Sequence, residues 1–205
     1  MPTKKITCAG CHRSGSTWLF NAVRLIMEVT GDEVYSCFAT DYDAENTAPI
    51  HVVKCHNKRK FLLDSDRIFT TKRDLRDIAA SAVRRGLIDQ SECIDYLHRI
   101  IVREYRPWKP FSHLEIKYED LVRNKNLYIQ DLAKLLKVEV NPAAIHKKIE
   151  SLPIPKGNQR DPVTLLHSNH ITDGTPGSYK KTLSPYMQDL IRITFHNWLF
   201  RNDYL

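Results

Sequence analysis

Between Gly10 and Thr17 the chain reads Gly-Cys-His-Arg-Ser-Gly-Ser-Thr, two glycines with an arginine and several hydroxyls between and after them. Set between a strand and a helix, such a loop aims backbone N–H groups and side-chain donors at one point, which is how proteins hold phosphate. Gly10 and Gly15 stand at the spacing of a Walker A loop, but Ser16 occupies the place of that loop's lysine, and the nearest cation comes earlier, at Arg13. Ordinary triphosphate cleavage is therefore disfavoured. Lys54 and His56 form a second group. Residues two apart in an extended chain face the same side, so a cation able to hold an anion lies beside an imidazole, whose unperturbed pKa of about 6.5 suits a neutral base. Cys8 and Cys11 have the spacing of a redox or zinc pair, but no second pair follows. The five cysteines are an odd count at irregular spacing and read as free thiols of a reducing compartment. His167 and His170 read as loop residues, and no metal site is expected.

The elements that must position these groups follow from periodicity. Residues 4–9 read as a strand, 18–29 as a buried helix stopped by Gly31, and 50–53 and 67–71 as strands. Residues 75–85 read as a helix with Asp74 as N-cap, Asp77 as its capping-box partner and Gly86 as the stop. Residues 91–105 continue as a helix ended before Pro107, 113–118 alternate like a strand, and 127–136 and 184–200 carry helical spacing. Strand and helix in alternation predict an α/β fold, a mostly parallel central sheet with helices on both faces in a three-layer sandwich, which binds ligands at the carboxyl ends of its strands. Both candidate groups stand just after strands. Residues 153–182, with four prolines and three glycines between Pro153 and Gly177, read as a lid or surface segment within one domain spanning 1–205.

The 205 residues are 42% hydrophobic and 27% charged, enough for a buried core in one domain, which excludes disordered and fibrous classes. Thirty-one basic against 24 acidic residues give a net charge of +7, so the partner is expected to be anionic. Residues 1–8 lack the apolar run of a secretion signal, and no later segment approaches a membrane span, so a cytoplasmic protein without a membrane anchor is expected.

Arg13-Ser14-Gly15-Ser16-Thr17-Trp18-Leu19 resembles the 5′-phosphosulfate loop of the sulfotransferases that use 3′-phosphoadenosine 5′-phosphosulfate (PAPS). The resemblance implies that Arg13 grips the phosphosulfate, that Ser14, Gly15, Ser16 and Thr17 cradle it, and that Trp18 packs on adenine, with His12 replacing a common proline. Arg73, an acidic residue and Ser81 eight positions on resemble the family's 3′-phosphate motif, and Lys54-Cys55-His56 its Lys-x-His signature. There the histidine is the base and the lysine supports the transferring oxygens, so His56, Lys54 and Arg13 are the implied catalytic residues. Tyr118 resembles the tyrosine placed near adenine, and Gly177 and Lys180 the glycine and lysine loop that closes over the 3′-phosphate. The resemblance implies transfer of a sulfonyl group to a hydroxyl or amine of a small-molecule acceptor, with PAPS as donor and no metal. Some branches use glutamate as base, which leaves His56 or a carboxylate open. A second subunit completing the acceptor pocket, as a homodimer, is compatible with the short chain. A P-loop kinase for a small metabolite would need a lysine at Ser16 and a magnesium-holding acid after a strand. A nucleic-acid-binding protein would use the positive charge directly, but no known nucleic-acid motif is present, so no nucleic-acid partner is expected.

Overall fold

The computed structural model describes residues 3–156, 159–168 and 173–205. Five strands, β1 (Lys4–Cys8), β2 (Val34–Phe38), β3 (Ile50–Lys54), β4 (Arg67–Lys72) and β5 (Leu114–Lys117), form one parallel sheet in the order β2-β3-β1-β4-β5. A parallel sheet of this kind has both faces covered, so its strands are near-continuous apolar runs; all five residues of β3 are buried. The register sets Cys8 of β1 opposite Lys54 of β3 and Phe69 of β4. The carboxyl ends of the three inner strands therefore open onto one edge, and each is followed by one group of candidate residues.

The helices described are α1 (Ser16–Glu28), α2 (Leu75–Arg84), α3 (Cys93–Ile100), α4 (Tyr118–Arg123), α5 (Lys125–Leu136), α6 (Pro142–Glu150), α7 (Tyr179–Thr182), α8 (Pro185–Thr194) and α9 (His196–Arg201). Leu19, Val23 and Ile26 of α1 pack with Leu132 of α5 and Ile145 of α6 on Ile6, Val52 and Ile116 of the sheet. The alternate residues Ala9, Val53 and Ile68 face the other way, under Leu62 and Trp108. A further cluster joins Ile78 of α2, Leu97 of α3, Ile191 of α8 and Leu199 of α9. Helices thus cover both faces, as the alternation predicts.

Several elements differ from their sequence pattern. The helical spacing over 184–200 is broken at Phe195 (φ −109°, ψ 23°) into α8 and α9. The helix over 91–105 is α-helical only to Ile100 and widens to a π turn over Ile101–Tyr105. β2 and α6 carry no marked periodicity. Asp74 caps α2 as expected, accepting from the Arg76 N–H at 2.8 Å, and Gly86 follows the helix at φ 63°. Asp77 does not complete a capping box: the Asp74 N–H donates to Glu119 Oε1 at 3.1 Å, and the Asp77 carboxylate turns outward to residues 177–179. Among the described residues no helix is long and apolar enough to cross a membrane. All five cysteines are buried free thiols.

Candidate functional site

The loop after β1 is shaped by three residues at positive φ, Gly10 (150°), Arg13 (63°) and Gly15 (86°). At Gly10 the backbone passes so close to β4 that a Cβ would stand 2.2 Å from Thr71 Oγ1 and 2.9 Å from Thr71 N. Ser14 Oγ donates to the Cys11 carbonyl at 2.6 Å and is 2.6 Å from Thr71 Oγ1, so this fully buried hydroxyl braces the loop from within. Arg13, a non-glycine residue held in the left-handed region, reaches α2, where its Nε donates to Ser81 Oγ at 2.9 Å. Burial and the nearby Arg85 guanidinium pull the Arg13 pKa down to about 10. Ser16 and Thr17 start α1, both buried, and Trp18 is half-buried beside the core with its Nε1–H unpartnered among the described groups.

Arg73 stands where β4 ends and α2 begins, only 3% exposed. Its Nη1 donates to the Arg13 carbonyl at 3.2 Å and its guanidinium lies 4.2 Å over the ring of Tyr118. Its Nε and Nη2 are buried without a hydrogen-bond partner; the nearest carboxylate, Asp77 Oδ2, is 3.8 Å from Nη2. Buried guanidinium donors left open are costly unless an anion answers them. Tyr118 also lies against Gly15, where a Cβ would come within 2.9 Å of its ring, and its hydroxyl donates to the Gly174 carbonyl at 2.9 Å. Asp77 accepts from the Gly177 N–H (2.7 Å), the Tyr179 N–H (2.9 Å) and Ser178 Oγ (3.2 Å), which latches residues 177–179 to α2.

Lys54 ends β3 with its ammonium buried, donating to Thr17 Oγ1 at 2.5 Å. Desolvation, helped by the Arg160 and Arg13 charges, lowers its pKa to about 7. No carboxylate forms an ion pair with it among the described residues. His56 is also buried. Its Nδ1 is 2.7 Å from the Gly10 carbonyl, which can only accept, so the proton sits on Nδ1 and Nε2 keeps the lone pair of a base. Its ring stacks on His12 with centroids 3.6 Å apart. His12 is held in turn by Glu104, whose two oxygens accept from the His12 N–H (2.8 Å) and Nδ1–H (2.6 Å).

The fold therefore brings Arg13, Lys54, His56, Arg73, Ser81, Thr17, Gly15, Tyr118 and Gly177 around one edge of the sheet. Ser81 faces Arg13, where the motif pairs it with Arg73. Lys180 is exposed on α7, and no side-chain contact among the described residues draws it to Arg73. The described parts of the segment read as a lid are docked: Leu165 joins the core, and the Thr164 carbonyl accepts from Asn21 Nδ2 at 2.8 Å. His170, Gly157 and the Thr172 that precedes Asp173 lie outside the described residues. His12, Glu104 and His56 form a group of three metal-ligating side chains whose ligand atoms lie within 4.8 Å of one another. The two rings are stacked 24° from parallel, so their in-plane lone pairs run side by side and do not converge as a metal requires. Sequence reasoning passed over Glu104 and Asp77 as partners, because each acts across more than 90 residues of chain.

No protein-family model and no curated protein sequence matches the chain. Solved structures do resemble it. Retinol dehydratase in complex with androsterone and the inactive cofactor PAP aligns over 97% of this chain and 81% of that one, with a TM-score of 0.65 and 16% identity. Mouse sulfotransferase SULT7A1 complexed with PAP aligns over 96% and 84%, with a TM-score of 0.68 and 13% identity. Retinol dehydratase with retinol and PAP gives a TM-score of 0.62 over 97% and 82%, at 15% identity. At such identities the likeness is one of architecture: five parallel strands in the same α/β arrangement, so the chain has the fold of these PAP-bound sulfotransferases.

Proposed function

We propose that the protein transfers the sulfonyl group of PAPS to a hydroxyl or amine of a small soluble acceptor. The observation that carries this reading is the pair of buried cations at the strand ends. Arg73 has two guanidinium nitrogens without hydrogen-bond partners and Asp77 only at 3.8 Å, and Lys54 has no carboxylate partner among the described residues, beside a loop shaped by Gly10 and Gly15. Burying such charge is costly unless an anion occupies the site in the working state. Buried cations after two different strands, β3 and β4, suit a nucleotide phosphorylated at both the 3′ and 5′ ends, and the solved neighbours carry PAP.

In this reading Arg73 holds the 3′-phosphate, with Tyr118 stacked on its guanidinium and residues 177–179 latched beside it. Arg13, Lys54, Thr17 and the N–H groups at the start of α1 hold the phosphosulfate end, and Trp18 offers an aromatic face toward adenine. PAPS supplies an activated sulfonyl group. The protein aligns the acceptor, holds the charge on the oxygens and removes one proton. His56 Nε2 takes that proton, because its Nδ1–H is committed to the Gly10 carbonyl and its second nitrogen is fixed as an acceptor. Lys54, already near half-protonated at neutral pH by its lowered pKa, gains its full charge as the anion arrives. No metal is needed for these steps. The test is a transfer assay with ³⁵S-labelled PAPS and a panel of phenols, alcohols and amines. Label in at least one acceptor, lost in His56→Asn, supports the reading; label in none across the panel, with PAPS recovered intact, counts against it.

A further inference from the structure

Glu104 is built tightly into this site and holds His12, whose side chain is 45% exposed, although neither is asked to hold the donor. Glu104 is carried by the π turn after α3, a wide turn that departs from regular helix hydrogen bonding and is often found at functional sites. Its side chain is 8% exposed, and both its oxygens are spent on one residue, the N–H and the ring of His12. His12 in turn lies face to face with His56 at 3.6 Å, tilted by 24°. We propose that Glu104 and His12 are positioning residues that stabilise the positive charge His56 acquires as it takes the acceptor's proton, through a carboxylate–imidazole–imidazole stack. The proposal rests on the reading of His56 as the base.

The argument is electrostatic. With His12 Nδ1–H donating to a carboxylate, electron density shifts into the His12 ring and makes its face more negative, the face on which His56 lies. An imidazolium over that face is attracted as a cation over an aromatic ring is, and the buried carboxylate behind it supplies the counter-charge. The other ionisable groups around the stack help less: Glu115 of β5, the other carboxylate felt at Cys11, is paired with Lys72 at 2.8 Å. From the loop after β1 come Arg13, a cation, and Cys11, whose thiol burial keeps protonated. From the β3 end come Lys54, Cys55 and Arg59, and from α3 comes Tyr96, its phenol pushed up to about 12. From the segment 159–168 come Arg160 and His167, the latter lowered by burial and the Arg85, Arg13 and Lys54 charges. A proton on His56 thus enters a cationic surrounding in which Glu104 is the carboxylate reached through a hydrogen-bonded ring. In the reaction the acceptor's O–H or N–H proton passes to His56 Nε2, the freed electron pair forms the bond to sulfur, and the sulfur–oxygen bond to the phosphate breaks with its pair going to the phosphate. No proton leaves His12, whose Nδ1–H stays with Glu104.

The experiment is an NMR titration of the imidazole Cε1–H resonances of the full chain, assigned with His12→Gln and His56→Gln, in the wild type and in Glu104→Gln. Removing the carboxylate's charge disfavours the imidazolium, so the His56 midpoint is expected to fall by about one pH unit, a tenfold weaker hold on the proton. Glu104→Asp is expected to restore at least half of that shift. A purely structural role for Glu104 would not produce this order. His12→Gln, which removes the stacked ring but keeps a donor for Glu104, is expected to lower the midpoint as well and serves if Glu104→Gln does not fold. A His56 midpoint unchanged within about 0.3 unit in a folded Glu104→Gln or His12→Gln protein overturns the proposal. Calorimetry with PAP on the same samples separates the two readings. If the wild type does not bind PAP while the midpoint still moves, the electrostatic coupling is upheld and the sulfonyl-transfer reading is what fails.

Discussion

In the proposed reaction Arg73 serves binding and His56 serves chemistry, and substitutions should separate them. Arg73→Ala removes charge-assisted contacts to phosphate, each worth about 1.5–3 kcal/mol, so PAP affinity is expected to fall roughly 10- to 100-fold by calorimetry. Arg73→Lys should recover little of this, because a lysine has no planar face to lie on Tyr118 and no fork for an oxyanion. His56→Asn is expected to leave the PAP dissociation constant within about twofold and to lower kcat by about 10²–10⁴, the range for losing a general base. A His56→Asn enzyme with full kcat would remove the imidazole from the mechanism.

At the scale of elements, α2 joins the two halves of the site. Its N-terminal end carries Arg73, its interior presents Ser81 to Arg13, and Asp77 holds three donors of residues 177–179. Asp77→Ala would leave two backbone N–H groups without their acceptor, so amide exchange at Gly177 and Tyr179 should accelerate by about 10- to 100-fold while the amides of β1 stay protected. Equal protection at 177 and 179 in that variant would show that the latch is held by other contacts. This latch was not legible in the sequence, where Asp77 three residues after Asp74 reads as a capping-box partner. The pattern i, i+3 describes a local option and cannot show that a segment 100 residues away competes for the carboxylate. The strands β1, β3 and β4 were legible because buried parallel strands are apolar runs. β2, Val-Tyr-Ser-Cys-Phe, was not, since this edge strand is only half-buried and mixes polar with apolar residues. The break at Phe195 went unseen because α8 and α9 bury residues at one continuous helical spacing on either side of it. Of the site itself, the loop after β1, Lys54, His56 and Arg73 could be read from residue type and position after strands, whereas the Glu104–His12 contact spans 92 residues and has no local signature.

For the whole molecule, a basic protein with cations buried around a site is less stable alone than with its anion bound. Lys54 has a folded-state pKa lowered from 10.5 to about 7. A lysine whose pKa is depressed on folding destabilises the folded state when protonated. The cost is fully present below about pH 7 and disappears as pH rises through the unfolded value near 10.5. Lys54→Met is therefore expected to raise the melting temperature of the free protein at pH 6–7, by about 2–4 °C for each kcal/mol recovered, and to reduce that protein's gain from nucleotide. The same linkage makes nucleotide binding take up a proton. At pH 8 a group of pKa about 7 is roughly one-tenth protonated and becomes fully charged against an anion, so uptake approaches about 0.9 proton per site. Calorimetry in buffers of different ionisation enthalpy reads that number. A value near zero would mean that Lys54 is not in the anion's reach.

The most direct measurement is calorimetric titration of the purified protein with PAP, beside AMP and beside ATP with magnesium, at one fixed moderate salt concentration because charge-driven binding weakens with salt. The expected result is binding of PAP at least 100-fold tighter than of either other nucleotide, since only PAP places a phosphate on Arg73 while occupying the loop after β1. Equal affinity for PAP and AMP, or preference for magnesium ATP, would contradict the assignment of Arg73 as a 3′-phosphate site and with it the sulfonyl-transfer account.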